Sequence, residues 1–280
     1  MSKKWRLENG DAVGVLKRMR PAIVDLVVTS PPYDSLRTYD GYHFDATAIA
    51  KALHRVLKPG GVVVWVVGDQ VKNGSETGTS FRHALAFMEA GFRLHDTMLY
   101  EKNSASFPAR ANSNRYTQIF EYMFVFSKGA PKTANLICDK PNKCAGEANW
   151  ATQSKRDADG EVRSAKNDKH VTPETSPRNN IWRYSTGGGI STRDKDLGDH
   201  PAVFPLDLAK DHILTWSNPG DVVLDPMVGS GTTCLAASKL GRRFLGIDIS
   251  DSYVVTAGKR LARHGVDVAL RRVADRNCGV

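Results

Sequence analysis

The sequence has few cysteines and no long apolar run, and both absences narrow the classes of protein that it can encode. Cys138, Cys144, Cys234 and Cys278 do not have the spacing of a metal site or a disulfide framework. We therefore expect free thiols in a reducing compartment and no bound metal. No apolar stretch is long enough to cross a bilayer, and residues 1–4 lead into a predicted strand without a signal-peptide core. These features favour a cytoplasmic protein without membrane contact.

The composition favours a globular protein that can bind a polyanion. With 280 residues, 41% of them hydrophobic, the chain can bury one sizeable core. Its net charge of +9 would attract a phosphate backbone, although charge alone does not distinguish a nucleic-acid-binding surface from an ordinary basic one.

A polar and aromatic segment follows the first strongly apolar strand. The run Ile23–Val28 is followed by Thr29–Tyr33, which reads Thr-Ser-Pro-Pro-Tyr. Open α/β sheets bind ligands at the carboxyl ends of their strands. The prolines remove two backbone donors, Ser30 adds a hydroxyl acceptor and Tyr33 adds a flat ring. This combination suits a planar base with an exocyclic amino group, whereas the alternative is a proline-rich turn that ends a strand.

A second motif has the pattern of a nucleoside-binding unit. The apolar strand Asp221–Leu224 leads into the glycine-containing loop Asp225–Thr233 and the helical run Cys234–Leu240. The next strand, Arg243–Ile247, ends at Asp248, where an acidic residue commonly binds a ribose diol. The loop lacks the third glycine of the dinucleotide fingerprint, so an NAD-dependent oxidoreductase is disfavoured.

Together these motifs resemble those of amino-methylating DNA methyltransferases that use S-adenosylmethionine, in the permuted group whose catalytic motif precedes the cofactor motif. The resemblance covers about two thirds of the chain. It implies that Ser30, Pro31, Pro32 and Tyr33 form the catalytic motif. Met227 stands where the family usually has Phe, so we expect altered packing there. The resemblance also implies a cofactor-binding set of Asp11, Thr29, His200, Phe204, Pro205, Asp225, Pro226, Met227, Gly229, Ser230, Gly231, Thr232, Thr233 and Asp248.

The alternation of apolar segments predicts a doubly wound, mostly parallel α/β sheet of the seven-stranded Rossmann-like methyltransferase type. Two adjacent strands near 93–101 and 118–127 predict an antiparallel hairpin at the edge of the sheet. We expect residues 1–130 to form the catalytic half of this domain and residues 199–280 to form its cofactor-binding half.

The polar segment 131–198 is predicted to be an inserted target-recognition region, partly disordered without DNA. Arginine and asparagine suit the reading of base edges, and aromatic side chains accompany them here. A surface insertion without function is the alternative, and Ser104–Arg115 is a weaker DNA-facing candidate. The candidate DNA-binding residues are Arg110, Asn112, Arg115, Arg178, Trp182 and Arg183.

The resemblance predicts transfer to the N4 amino group of cytosine, because Ser before Pro-Pro usually accompanies cytosine in this family. Adenine N6 is the alternative, and methylation of RNA or of a protein glutamine is a more remote one. A catalytically silent DNA-binding module is disfavoured by the two intact motifs. Cys234 follows the glycine loop, so we interpret it as a packed thiol and not as the nucleophile of ring-carbon methylation.

The expected mechanism is direct transfer to a flipped base. The target must leave the duplex to reach the cofactor. Ser30 Oγ and the Pro31 carbonyl would accept hydrogen bonds from the amine, which favours a pyramidal nitrogen with an available lone pair. The expected partner is double-stranded DNA associated with the nucleoid, with a cognate restriction endonuclease as a further candidate. Monomer and homodimer both remain open.

Overall fold

The computed structural model describes residues 5–32, 44–103, 114–149, 154–164, 170–185 and 205–271. The chain divides into two compact units. The larger contains residues 1–135 and 180–280, and the smaller is Leu136–Asn179. In these described ranges, no helix combines the length and the apolar character needed to traverse a bilayer.

The described residues contain seventeen strands and six helices. The strands are β1 (Trp5–Asn9), β2 (Val24–Thr29), β3 (Leu57–Val67), β4 (Val71–Lys72), β5 (Ser75–Glu76), β6 (Arg93–Lys102), β7 (Phe120–Ser127), β8 (Lys140–Pro141), β9 (Ala148–Asn149), β10 (Ser154–Arg156), β11 (Val162–Ser164), β12 (His170–Val171), β13 (Thr175–Ser176), β14 (Ile181–Tyr184), β15 (Val222–Asp225), β16 (Arg243–Asp248) and β17 (Ala269–Arg271). The helices are α1 (Ala12–Arg18), α2 (Ala46–Val56), α3 (Thr79–Glu89), α4 (Leu206–Trp216), α5 (Thr232–Lys239) and α6 (Asp251–Arg263).

The larger unit is built on one sheet with the strand order β14-β6-β7-β3-β2-β15-β16-β1-β17. Every neighbouring pair in this order is parallel except the two pairs made by β7, which runs antiparallel to β3 and β6. The predicted α/β fold, with its mostly parallel sheet and antiparallel hairpin, is confirmed. The described part of this sheet has nine strands where seven were expected. β17 extends one edge, and β14 pairs with β6 at the other, so the hairpin does not form the edge as predicted.

Helices cover both faces of this sheet because its central strands are apolar on both sides. Val63, Trp65 and Val67 of β3 join the cluster that the first three helices form on one face. Val62 and Val64 alternate with them and are also buried, so they lie on the opposite face, where α4 contacts β2 and β3. Continuous apolar strands of this kind are typical of a parallel sheet covered on both sides.

The smaller unit consists of short antiparallel ladders, formed by β8 with β13, β9 with β12 and β10 with β11. None of its residues with a described side chain is buried. The unit is narrower than the predicted insertion 131–198. Asn135 N donates to Thr215 O at 2.8 Å, and Leu99 N donates to Asn180 O at 2.9 Å, so both flanks hydrogen-bond within the larger unit.

Candidate active site at the carboxyl edge of the sheet

Four neighbouring strands bring the predicted site segments to one edge of the sheet. The strands β2, β15, β16 and β1 are adjacent and parallel. Their carboxyl ends are Thr29, Asp225, Asp248 and Asn9. The segments that follow these strands therefore begin side by side at the edge where α/β folds bind ligands.

Two hydrogen bonds tie the end of β2 to the glycine loop. Thr29 Oγ1 donates to Asp225 Oδ1 at 2.7 Å, and both side chains are buried. Thr233 Oγ1 donates to Val28 O at 3.1 Å from the first turn of α5. These contacts hold the start of the Ser-Pro-Pro segment beside the loop that follows β15.

Asp225 is a fully buried carboxyl group. Besides Thr29, the backbone N–H of Met227 donates to its Oδ1 at 3.1 Å. Burial raises its pKa from 3.8 to about 6, although these hydrogen bonds act in the opposite direction. A buried carboxylate at the carboxyl end of a strand is typical of a ligand-binding position because its charge costs stability unless a ligand compensates it.

The loop after β15 makes a tight turn that depends on two glycines. Gly229 has φ 48° and Gly231 has φ 82°, both in the left-handed region. Val228 N donates to Ile247 O at 2.8 Å, which anchors the loop to the end of β16. Gly231 is the N-cap of α5, so the backbone N–H groups of the first turn lie next to this loop.

Asp248 accepts two backbone hydrogen bonds, from Gly229 N at 2.9 Å and from Ser250 N at 3.0 Å. Burial raises its pKa, while these bonds lower it. A carboxylate has about four lone-pair positions, so Asp248 retains acceptor capacity for a diol. A buried acceptor beside a glycine turn and a helix N-terminus fits the ribose and methionine parts of S-adenosylmethionine.

The end of β1 is fixed to the same region. Asn9 Nδ2 donates to Asp248 O at 3.2 Å and to Ile249 O at 2.9 Å, and Gly10 N donates to Asp248 O at 2.8 Å. Asp11 is exposed and caps α1 by accepting from Gly14 N at 2.7 Å. Asp11 thus lies at the same edge as Asp248.

The structure describes only part of the catalytic motif. Ser30 and Pro32 are half-buried and Pro31 is buried, immediately after β2. Tyr33, Arg110, Asn112, His200 and Phe204 lie outside the described residues. Pro205, placed by sequence in the cofactor-binding set, is the N-cap residue of α4.

The loop residues that surround the two glycines are largely buried. Met227 is half-buried and packs against the core cluster. Ser230, Thr232 and Thr233 are buried. Pro226, which follows Asp225, completes the predicted loop and lies in its first turn.

A pocket of about 420 Å³ lies at the carboxyl end of β3, the strand next to β2. Asp69 lines it and accepts hydrogen bonds from Ser80 N at 3.0 Å and from Ser80 Oγ. Tyr122 also lines it, and burial together with the nearby Asp69 and Glu76 carboxylates raises the pKa of its hydroxyl.

This pocket was not predicted from the sequence. Asn73-Gly74 between β4 and β5 was an available signal, because such a pair favours a tight hairpin turn. Both residues have positive φ, 52° and 76°. No local pattern pointed to Asp69, since its role depends on contacts with α3.

The described candidate DNA-binding residues differ in their surroundings. Arg115 lines the pocket and donates to Gly74 O. Arg178 pairs with Asp139, and Arg183 donates to Glu101 at 2.6 Å while remaining exposed. Trp182, predicted from the sequence as a DNA contact, is 6% exposed and stacks on His212 at 4.6 Å. The alternation along β14 turns its side chain inward and the side chain of Arg183 outward.

Cys234 does not have the properties of a nucleophile. It is fully buried, and burial raises the pKa of its thiol. The thiol packs so closely that a Cβ on Gly246 would lie 2.9 Å from Sγ. Within the described ranges, no group of three or more His, Cys, Asp or Glu side chains could hold a metal ion.

Comparison with known proteins identifies the family. Residues 24–259 match the N6/N4 family of DNA methylases. The orphan methyltransferase M.BamHII of Bacillus amyloliquefaciens is 53% identical over 86% of this chain and 89% of its own length. The type II methyltransferase M.BglII of Bacillus subtilis is 26% identical over 89% of this chain and 66% of its own length.

Solved structures agree with this assignment. TTHA0409 of Thermus thermophilus, in complex with S-adenosyl-L-methionine, has a TM-score of 0.63 and 26% identity over 95% of this chain and 99% of its own. The cytosine-N4-specific PvuII DNA methyltransferase shares the fold, with a TM-score of 0.64 and 19% identity over 96% of this chain and 97% of its own. The chain therefore belongs to the amino-methylating N6/N4 DNA methylase family, and it is an S-adenosylmethionine-dependent DNA methyltransferase.

Proposed function

We propose that this enzyme methylates the N4 amino group of cytosine in duplex DNA. The observation that carries the proposal is the residue at the end of β2. Ser30 offers a neutral hydroxyl next to two prolines, whereas the family resemblance associates Asp or Asn at this position with adenine. Cytosine N4 is therefore the favoured acceptor.

The cofactor is assigned to the ends of β15, β16 and β1. Asp248 would accept hydrogen bonds from the ribose diol, because its carboxylate is buried and keeps free lone pairs. Asp11 would accept from the adenine amino group. The loop 225–233 would hold the methionine part, with the N–H groups of α5 next to its carboxylate. When bound, the cofactor supplies an activated methyl group.

Ser30 and Pro31 are assigned to the acceptor side of the reaction. Ser30 Oγ and the Pro31 carbonyl would accept N–H groups of the cytosine amine, which reduces delocalisation of the nitrogen lone pair into the ring. Holding the amine in one orientation supplies much of the acceleration, since effective molarities of well-oriented groups reach about 10⁵–10⁸ M. Tyr33 remains the proposed stacking residue.

The pocket beside β3, the strand next to β2, is proposed to receive the part of the flipped base that lies away from Ser30 and Pro31, which are not among its lining residues. Its volume of about 420 Å³ suits a small planar ligand, and its lining combines the aromatic Phe120 and Tyr122 with the acceptors of Asp69 and Glu121. Acceptors next to aromatic rings suit a base that carries an amino group.

Product analysis tests the base assignment directly. The purified chain is incubated with duplex DNA and isotope-labelled cofactor, and the DNA is digested to nucleosides and examined by mass spectrometry. We expect labelled N4-methyldeoxycytidine. Labelled N6-methyldeoxyadenosine as the sole product would instead establish the adenine alternative. Ser30→Ala provides the matched control, because it should leave little label in either nucleoside.

A further inference from the structure

An arginine on α6 is buried next to the glycine loop. Arg260 is 3% exposed, whereas Lys259 and Arg263 on the same helix are exposed. Taking a guanidinium group out of water is costly unless hydrogen bonds compensate it. Its position therefore requires partners within the fold.

The contacts of one Arg260 nitrogen converge on the loop that follows β15. Nη1 donates to Ser230 O at 3.2 Å, to Ser230 Oγ at 3.3 Å and to Thr232 Oγ1 at 2.9 Å. One turn earlier on the helix, Ala257 lies so close to Gly231 that a Cβ there would be 3.1 Å from the Ala257 Cβ. The helix α6 thus supports the loop at two points.

The contacts with α6 fix the part of the loop around Gly231, where the backbone itself is least restricted. Glycine is conformationally permissive, and Gly231 has no side chain with which to cap α5. Hydrogen bonds from a positively charged donor are stronger than those from a neutral one. Arg260 therefore restrains Ser230 and Thr232, the residues on either side of Gly231.

We propose that Arg260 is a positioning residue for the cofactor. It holds residues 230–232 in the shape that receives the methionine part, and its positive charge favours the carboxylate of that part. The inference rests on the proposed cofactor role of the loop. Arg260 lies outside the two sequence motifs. From the sequence alone it is an ordinary basic residue in the last turn of a helix.

Arg242 provides a matched control because it is also a buried arginine, 5% exposed, and its hydrogen-bond partners lie outside the glycine loop. Its guanidinium donates to Ser217 O at 2.7 Å and to Leu240 O at 2.6 Å. It precedes β16, so it lies at the amino edge of the sheet, opposite the loop. Arg242→Met removes a buried charge without altering the proposed site.

The experiment compares Arg260→Met, Arg260→Lys, Arg242→Met and Asp248→Asn in the full chain. Cofactor Kd is measured by titration calorimetry, kcat and both KM values are measured on duplex DNA, and unfolding temperatures are recorded. For Arg260→Met we expect Kd and KM for the cofactor to rise about 10- to 100-fold, the range that loss of hydrogen bonds to a charged group produces. The KM for DNA and the kcat at saturating cofactor should not change. Arg260→Lys should be intermediate, because it keeps the charge but not the planar fork.

Arg242→Met should lower the unfolding temperature and leave cofactor Kd unchanged. An equal rise in Kd for Arg242→Met and Arg260→Met would overturn the proposal, since general destabilisation would explain both. If Arg260→Met does not fold, a raised Kd in Arg260→Lys supports the proposal and an unchanged Kd overturns it. Wild-type Kd in both Arg260 variants, with a raised Kd in Asp248→Asn, would reject the Arg260 role alone. An unchanged Kd in Asp248→Asn as well would also reject the proposed cofactor site.

Discussion

The carboxyl edge of the main sheet and the small unit Leu136–Asn179 differ in the burial of their polar side chains. At the edge, Asp225, Asp248 and Thr29 are buried, and backbone or side-chain groups hydrogen-bond each of them. In the small unit, none of the residues with a described side chain is buried, and strands of two or three residues pair through the backbone.

This difference in burial indicates which residues the fold restricts in identity. Buried polar groups must be satisfied, so each residue at the edge depends on its neighbours. The small unit buries little apolar surface, and folding therefore leaves its side chains free to vary with a DNA target. We infer that residues at the carboxyl edge of the main sheet carry out methyl transfer and that the small unit contributes to recognition of the DNA target.

The largest expected effect is a loss of kcat on substitution of Ser30, the residue proposed to bind the target base. Ser30→Ala should lower kcat by about 10²- to 10³-fold, the usual cost of removing one hydrogen-bonding group that acts on the reacting atoms. Cofactor Kd should not change, because Ser30 follows β2 and not the glycine loop. Single-turnover methylation and calorimetry separate the two quantities. A parallel loss of cofactor affinity would contradict the assignment of Ser30 to the base.

A stability measurement tests the burial of Asp225. Its pKa rises from 3.8 to about 6 on folding, so the folded state holds the proton more tightly than the unfolded chain does. Ionisation therefore destabilises the fold as pH rises from about 4 through 6, with a full penalty of about 3 kcal/mol above that range. Asp225→Asn should accordingly be more stable than wild type at pH 8 and should bind the cofactor more weakly.

The advantage of Asp225→Asn should shrink as pH falls toward 4. Urea unfolding at pH 8, 6 and 4.5 measures it, and Asp159→Asn in the exposed part of the small unit is the control. A stability difference that does not vary with pH would show that Asp225 is not held in a state of raised pKa.

The sequence predicted the fold well because the strands of the larger unit are apolar and the glycine loop is local. Asp225, Gly229, Gly231 and Asp248 lie within one strand–loop–helix–strand unit, so short-range pattern sufficed to place them together. The approach of β2 to β15 is a long-range pairing, and it could be expected only from the rule that ligands bind at strand ends.

Other features depend on contacts that no local pattern encodes. Arg260 reaches the loop from a helix that begins after Asp248, and Trp182 is buried because β14 joins the main sheet beside β6. In both cases a polar or aromatic residue looked like a surface residue in sequence. Tertiary packing decided its role.

A smaller effect is expected on the affinity for cofactor when Asp248, the proposed ribose-binding residue, is substituted. Asp248→Asn should raise cofactor Kd by about 10- to 100-fold, since it weakens hydrogen bonding to a buried charged acceptor. The KM for DNA should be unaffected, because the hydrogen bonds of Asp248 join it to the glycine loop, to the start of α6 and to the end of β1. Equilibrium dialysis with labelled cofactor measures the change. A rise in the KM for DNA instead would place this carboxylate on the DNA side.

The smallest expected effect concerns an ion pair in the small unit, between Arg178 and Asp139. Arg178 Nε donates to Asp139 Oδ2 at 2.9 Å, and this pair lowers the pKa of Asp139. An exposed pair of this kind contributes about 0–1 kcal/mol, so breaking it should hardly change the unfolding temperature. If Arg178 contacts phosphate, Arg178→Gln should weaken DNA binding modestly and reduce its salt dependence, whereas Asp139→Asn should strengthen binding by releasing the arginine. Titration of duplex DNA at several salt concentrations measures both. Equal and same-signed changes in the two variants would show that the pair only holds the small unit together, and recognition would then have to depend on other residues.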